Sequence, residues 1–84
     1  MRRVLYILKK GPAEFSPGLL APSSGEKSAV VLVQDAVLLK DLPLSPVYAL
    51  ADDATSRQVS SPYPHISYQD MLRMIMESDT VVAL

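Results

Sequence analysis

The chain has 84 residues, a formal net charge of −1, 49% hydrophobic residues and no cysteine. Those figures describe one small domain, residues 1–84, and exclude disulfides, thiolate metal sites, a persulfide carried on this chain and the positive field that grips a nucleic-acid backbone. The apolar fraction, with one Phe and no Trp, excludes disorder and leaves a core of Val, Leu, Ile and Met.

The first ten residues hold Arg2, Arg3, Lys9 and Lys10 around Val4 to Leu8. The apolar run is too short for a secretion signal and reads as a first strand flanked by solubilising charges. No stretch approaches the ~20 apolar residues that cross a bilayer, and a cytoplasmic protein is expected. Gly11-Pro12 ends the strand, and Pro12, Pro17 and Pro22 then recur at equal intervals, which no long helix tolerates. A single helical turn is expected at Pro17 to Leu20 with Ser16 as its cap. Phe15, Leu19 and Leu20 would anchor this region on the sheet, and Ser23 to Lys27 would turn at the surface.

Ala29 to Gln34 is apolar and β-branched until its polar end, the pattern of a strand buried on both faces. Gln34 and Asp35 then fall at its carboxyl end, where open α/β sheets place working residues. Asp35 is positioned to cap a short helix through Ala36 to Leu39, which Leu42-Pro43 closes. Pro46 to Leu50 is a third strand. Asp52 or Asp53 would cap a short helix running to about Val59, with Asp53 and Arg57 four residues apart on one side of it.

Ser60 to Pro64 forms a loop, and His65-Ile66 is a minimal strand or an extended lead-in. Ser67 opens the clearest helix, with Ser67-x-x-Asp70 close to the capping-box pattern. Tyr68, Met71, Leu72, Ile75 and Met76 recur at helical spacing. Thr80 to Leu84 closes the chain as a short strand. Short crossovers between apolar strands predict an α/β fold: a small, mostly parallel sheet of four to five strands with short helices on both faces.

Nothing in this sequence assembles a catalytic constellation. His65 is the only histidine, and neither Ser61 nor Ser67 sits on a nucleophile elbow. One histidine and scattered aspartates fall short of a metal site. Gly25-Glu26-Lys27-Ser28 matches no phosphate loop, so neither a cofactor nor a metal is expected. Tyr68 and Met71 read as core. Tyr63, between two prolines, reads as an exposed anchor, and Met74 is the least core-like methionine of the last helix.

Four segments in order resemble the DsrH/TusB family of small sulfur-relay subunits. They are Val31-Leu32-Val33-Gln34-Asp35-Ala36-Val37, Val47-Tyr48-Ala49-Leu50-Ala51-Asp52-Asp53, Arg57 after that acidic turn, and Ser67-Tyr68-Gln69-Asp70-Met71 with the closing apolar strand. The likeness runs through nearly the whole chain and is strongest from Val30 to Arg57. It implies a DsrE/F/H-like fold and assembly with itself or with related DsrE/DsrF-like (TusD/TusC-like) subunits. The best-known assembly is a heterohexamer of three related chains in two copies. It passes persulfide sulfur toward 2-thiolation of the transfer RNA wobble uridine in one branch and serves sulfur oxidation in another. The main sulfur-bearing cysteine of such complexes lies on a different subunit. Many members of the present subfamily also carry a cysteine in the loop after the first strand, here Gly11 to Ser16, which holds none.

The resemblance therefore implies a non-catalytic assembly and docking subunit. Gln34, Asp35, Asp52, Asp53, Arg57, Tyr63, His65 and Met74 are the candidate contacts. The other reading is a regulatory oligomer that binds a small ligand at the carboxyl edge of the sheet, with Gln34, Asp35, Asp52 and Arg57 around one pocket. An Asp35 that only caps and an Asp53–Arg57 pair that only decorates a helix are the plain structural readings of the same residues.

Overall fold

The computed structural model describes residues 2–15, 26–42 and 46–84. The expected turn of helix at Pro17 to Leu20, its Ser16 cap, the anchors Leu19 and Leu20, and Pro43 lie outside the described residues. In chain order the elements are β1 (Arg2–Leu8), β2 (Glu26–Leu32), a 3₁₀ segment (Gln34–Leu38), β3 (Val47–Leu50), α1 (Ala51–Ser56), β4 (His65–Ile66), α2 (Tyr68–Glu77) and β5 (Thr80–Ala83).

These strands form one five-stranded sheet in the order β4-β3-β2-β1-β5, and every pairing is parallel. The chain steps outward from β1 to β4, and α2 then carries it back past β1 to β5 at the opposite edge. The fold is the expected α/β class. Two boundaries differ from expectation. β2 starts at Glu26, inside the expected surface turn, because its register sets Glu26 opposite Arg2 and Lys27 opposite Arg3. Backbone pairing to a long β1 absorbs polar residues that a hydrophobic pattern leaves outside. α1 stops at Ser56 instead of Val59, and Gln58 takes a left-handed φ of 53° just beyond it.

Alternation along the strands splits the core in two. On the first face, Val4, Tyr6 and Leu8 of β1, Val30 and Leu32 of β2, and Val47 and Ala49 of β3 pack together. Ala36, Val37 and Leu39 around the 3₁₀ segment, Ala54 of α1, and the half-buried Phe15, Leu42 and Tyr63 cover them. On the second face, Leu5, Val31 and Leu50 meet Met71, Met74 and Ile75 of α2, with Ile66 of β4 beside them.

The capping box of α2 forms as expected. Asp70 donates its backbone N–H to Ser67 Oγ at 3.1 Å, and Ser67 donates its own to Asp70 Oδ2 at 3.3 Å. Met71 is buried. Two tyrosines exchange their expected places. Tyr68 is 55% exposed, whereas Tyr63 packs on the first-face core and its hydroxyl accepts the Leu42 N–H at 2.9 Å. Met76, at 85% exposure, is the outward methionine; Met74 is half-buried against α2's own core. Helical spacing defines an apolar arc, and the sheet covers only part of it.

A candidate site at the carboxyl edge of the sheet

The backbone turns sharply where β2 ends. Gln34 adopts φ 51°, a left-handed conformation uncommon for a residue with a side chain. Its N–H donates to Asp53 Oδ2 at 2.6 Å, so a carboxylate from α1 caps the start of the 3₁₀ segment. Asp35 does not cap it, contrary to expectation: the cap position is Val33, with no side-chain bond. Asp35 Oδ1 instead accepts from Arg57 Nε at 3.0 Å. Nor does Arg57 pair with Asp53 along the helix; its backbone N–H reaches the Asp53 carbonyl at 3.2 Å.

Two ties thus run from residues 34–35, one to Asp53 in α1 and one to Arg57 just beyond it, and they bring together four of the sequence-predicted residues. Long-range partners have displaced the local ones, because β2 and β3 are neighbours and both release their chains at this edge. The Asp35 side chain is 64% exposed and that of Arg57 32%, so the ion pair contributes at most about 1 kcal/mol. The loop after β1 closes against the same point. A Cβ built on Gly11 would lie 3.3 Å from Asp35 Cβ, and a turn held by Glu14 and Phe15 N–H donation to the Gly11 carbonyl follows.

A cleft of 350 Å³ opens on the second face at this edge. Ile7, Val33, Leu50 and Met71 form its apolar lining, and Gln34, Asp52, Asp53 and Tyr68 its polar one. It contains two carboxylates and no cation. Arg57 and Asp35 are not among its lining, and neither are Tyr63, His65 or Met74. His65 sits exposed on the edge strand β4. Met74 lines a separate hollow of 220 Å³ at the amino ends of the strands, with Arg3, Lys27, Tyr48 and Glu77. Among the described residues no group of three or more His, Asp or Glu side chains is placed to hold a metal ion.

The apolar wall of the cleft and Tyr68 were not legible as site residues. Val33 and Leu50 read as strand ends and Tyr68 as core, and only the crossing of α2 over the sheet brings them to one place.

No protein-family model and no curated protein matches the chain. Solved structures do. The solution structure of protein Tm0979 from Thermotoga maritima is 28% identical, with a TM-score of 0.70 over 87% of this chain and 91% of that one. The crystal structure of the YchN protein from E. coli is 14% identical, with a TM-score of 0.73 over the full length of both chains. The fold is DsrE/F/H-like. Within that fold, the loop from Gly11, the Asp35–Arg57 pair and the cleft all gather at one edge of the sheet. No described helix is long and apolar enough to cross a membrane.

Proposed function

We propose that this chain is a non-catalytic subunit of a DsrE/F/H-type assembly, of the DsrH/TusB kind. It would hold subunits in register and shape a docking surface in sulfur relay, for transfer RNA wobble-uridine thiolation or sulfur oxidation. The observation that carries this is the pairing of that fold with a cysteine-free sequence and an incompletely covered sheet face. Without a thiol the chain cannot hold a persulfide, so the sulfur would travel on a related subunit. Leu72 and Met76 of α2 and Val81 of β5 stay exposed on this side of the sheet, and apolar area left open in this way would serve as a contact between chains. Partners are a second copy or DsrE/DsrF-like chains; no contact with nucleic acid or membrane is invoked. Asp35 and Arg57, beside the loop after β1, would meet a partner loop and fix its register.

Sedimentation of the purified chain tests the assembly, and native mass spectrometry of the complex from the source cell tests the relay. An oligomer containing persulfide-bearing related subunits is the expected result. A monomer at high concentration that recovers no such subunit sinks the proposal.

A second reading has its own observation. Gln34, Asp52 and Asp53 converge on the cleft above an apolar floor, as a small-ligand pocket requires. Two carboxylates beside the Tyr68 ring favour an amine with an apolar body. A series of alkyl and aryl amines should raise the melting temperature of the wild type and not of Asp52→Asn. Equal response of both proteins, or none, removes this reading.

A further inference from the structure

The amino ends of the strands carry a hollow of different chemistry from the cleft. β1 and β2 pair from Arg2 and Glu26 onward, but β3 joins β2 only at Val30. α2 ends at Glu77, over the second face. β1 and β2 thus outrun both β3 and the helix, and the hollow of 220 Å³ lies in the gap. Leu5, Ala29 and Met74 give it an apolar floor. Clefts that take drug-sized ligands measure roughly 300–1,000 Å³, so the occupant of this one is smaller.

Three charged residues line the same hollow. Arg3 and Lys27 are in register on adjacent strands, and alternation puts both on the second face with Leu5 and Ala29. One step earlier, on the first face, Arg2 is in register with the opposite charge of Glu26. Here two cations stand side by side, which is unfavourable until an anion answers them. Glu77 lies across the hollow at the carboxyl end of α2, whose last turn holds no basic residue. The carboxylate and the negative end of the helix therefore add.

Among the described residues no ion pair joins Glu77 to Arg3 or Lys27. The junction after Glu77 is nevertheless fixed to β1. Asp79 donates its N–H to the Arg3 carbonyl at 2.8 Å, and Asp79 Oδ2 accepts the Arg3 backbone N–H at 2.8 Å. Opposite charges are held on either side of an apolar floor without meeting. A simple anion entering this space would be repelled by Glu77, and a simple amine by Arg3 and Lys27. A group bearing both charges on one carbon satisfies all three.

We propose that this hollow binds a free amino acid with an apolar side chain. Its carboxylate is held by Arg3 and Lys27, its ammonium by Glu77, and its side chain rests on Leu5, Ala29 and Met74. The site lies at the opposite end of the strands from the Asp35–Arg57 tie and requires no second subunit.

The isotope-labelled full chain is titrated with leucine, with isocaproate, which lacks the ammonium, and with isoamylamine, which lacks the carboxylate. Binding is read from the amide signals of Leu5, Ala29 and Met74. Losing a charged contact weakens binding about tenfold or more, so leucine should exceed either analogue by at least that factor. Glu77→Gln, and Arg3→Gln combined with Lys27→Gln, change exposed positions and should keep the wild-type circular dichroism. Each should weaken leucine about tenfold. Glu77→Gln should also bring isocaproate level with leucine, because the ammonium then has no partner. Analogues that bind wild type as well as leucine does overturn the proposal. So do variants that bind leucine normally, and so does the absence of any shift at these amides with about 10 mM leucine, valine or methionine.

Discussion

On the first face of the sheet, chain segments from four places converge on Val30, Leu32 and Ala49, which have no exposed surface. On the second, α2 seals Leu5 and Val31 but leaves Val81 39% exposed at the β5 edge. Among the described residues, one face of the sheet is thus closed by several segments and the other is covered only over the central strands. The difference separates two regions: the buried cores lie on the first face and in the strip beneath α2, and the exposed apolar residues lie outside them. It also separates two kinds of substitution. First-face changes should alter folding regardless of protein concentration. Second-face changes outside the α2 footprint should act through association, which adds stability by mass action.

The largest expected effect tests that separation. Leu32→Ala removes a fully buried side chain from the first-face core and should cost about 2–5 kcal/mol in denaturant unfolding. The loss should be the same at low and high protein concentration. Val81→Ser, on the half-open part of the second face, should change the stability of the isolated chain by less than about 0.5 kcal/mol. A Leu32→Ala penalty that grows as protein is concentrated would mean that the first face also depends on a partner.

Next come two caps, one for each face. Asp53→Ala frees the Gln34 N–H and loosens the 3₁₀ segment that covers the first face; about 1–2 kcal/mol should be lost. Ser67→Ala breaks the capping box that starts α2 and should cost about 1 kcal/mol. Adding Gln34→Gly to Asp53→Ala should recover part of the first loss, since glycine accepts the left-handed conformation freely. No recovery would mean that the Asp53 bond, not backbone conformation, accounts for the whole effect.

These two caps also show what a sequence discloses. Ser67 and Asp70 are three residues apart and satisfy each other, so a local pattern was sufficient. Val30 to Leu32 announced a buried strand because residues facing either way had to be apolar. Asp53 and Gln34 are nineteen positions apart, and nothing local favours their bond over an ordinary first-turn role for Asp53. The same holds for Asp35 with Arg57. Their residue types and their place at strand ends were legible, their partners were not. Tyr63 and Tyr68 exchanged environments for a related reason. Periodicity ranks the residues of α2 by direction, but which arc rests on the sheet depends on where the helix crosses. A tyrosine between prolines looks exposed until the Leu42 N–H arrives from another segment to donate to its hydroxyl oxygen.

A smaller effect concerns the tie at the carboxyl edge. Arg57→Ala removes a largely exposed ion pair, so the isolated chain should lose only a few tenths of a kcal/mol. Assembly should weaken, read as a sedimentation boundary shifted to smaller species at unchanged circular dichroism. A lowered melting temperature with assembly intact would make Arg57 a brace for α1 and nothing more.

The smallest effect sharpens the contrast between the faces through a single proton. Tyr6 is buried on the first face, and burial raises its phenol pKa above the ordinary value of 10.0, since a phenolate there would lose its hydration. The Glu26 carboxylate pushes the same way by repelling the phenolate and by accepting the neutral hydroxyl at 3.5 Å. The unfolded chain therefore releases this proton at lower pH than the folded one. The contribution to stability is fully present below the ordinary tyrosine value and is lost as pH rises through the folded value. With four tyrosines and no tryptophan, tyrosinate absorbance follows the titration cleanly. A late-titrating component should vanish in Tyr6→Phe and move only part of the way back in Glu26→Gln, because burial is the larger cause. Complete reversal in Glu26→Gln would make charge the main cause and would mean that water reaches the Tyr6 hydroxyl, so that the first face is less closed than its packing indicates.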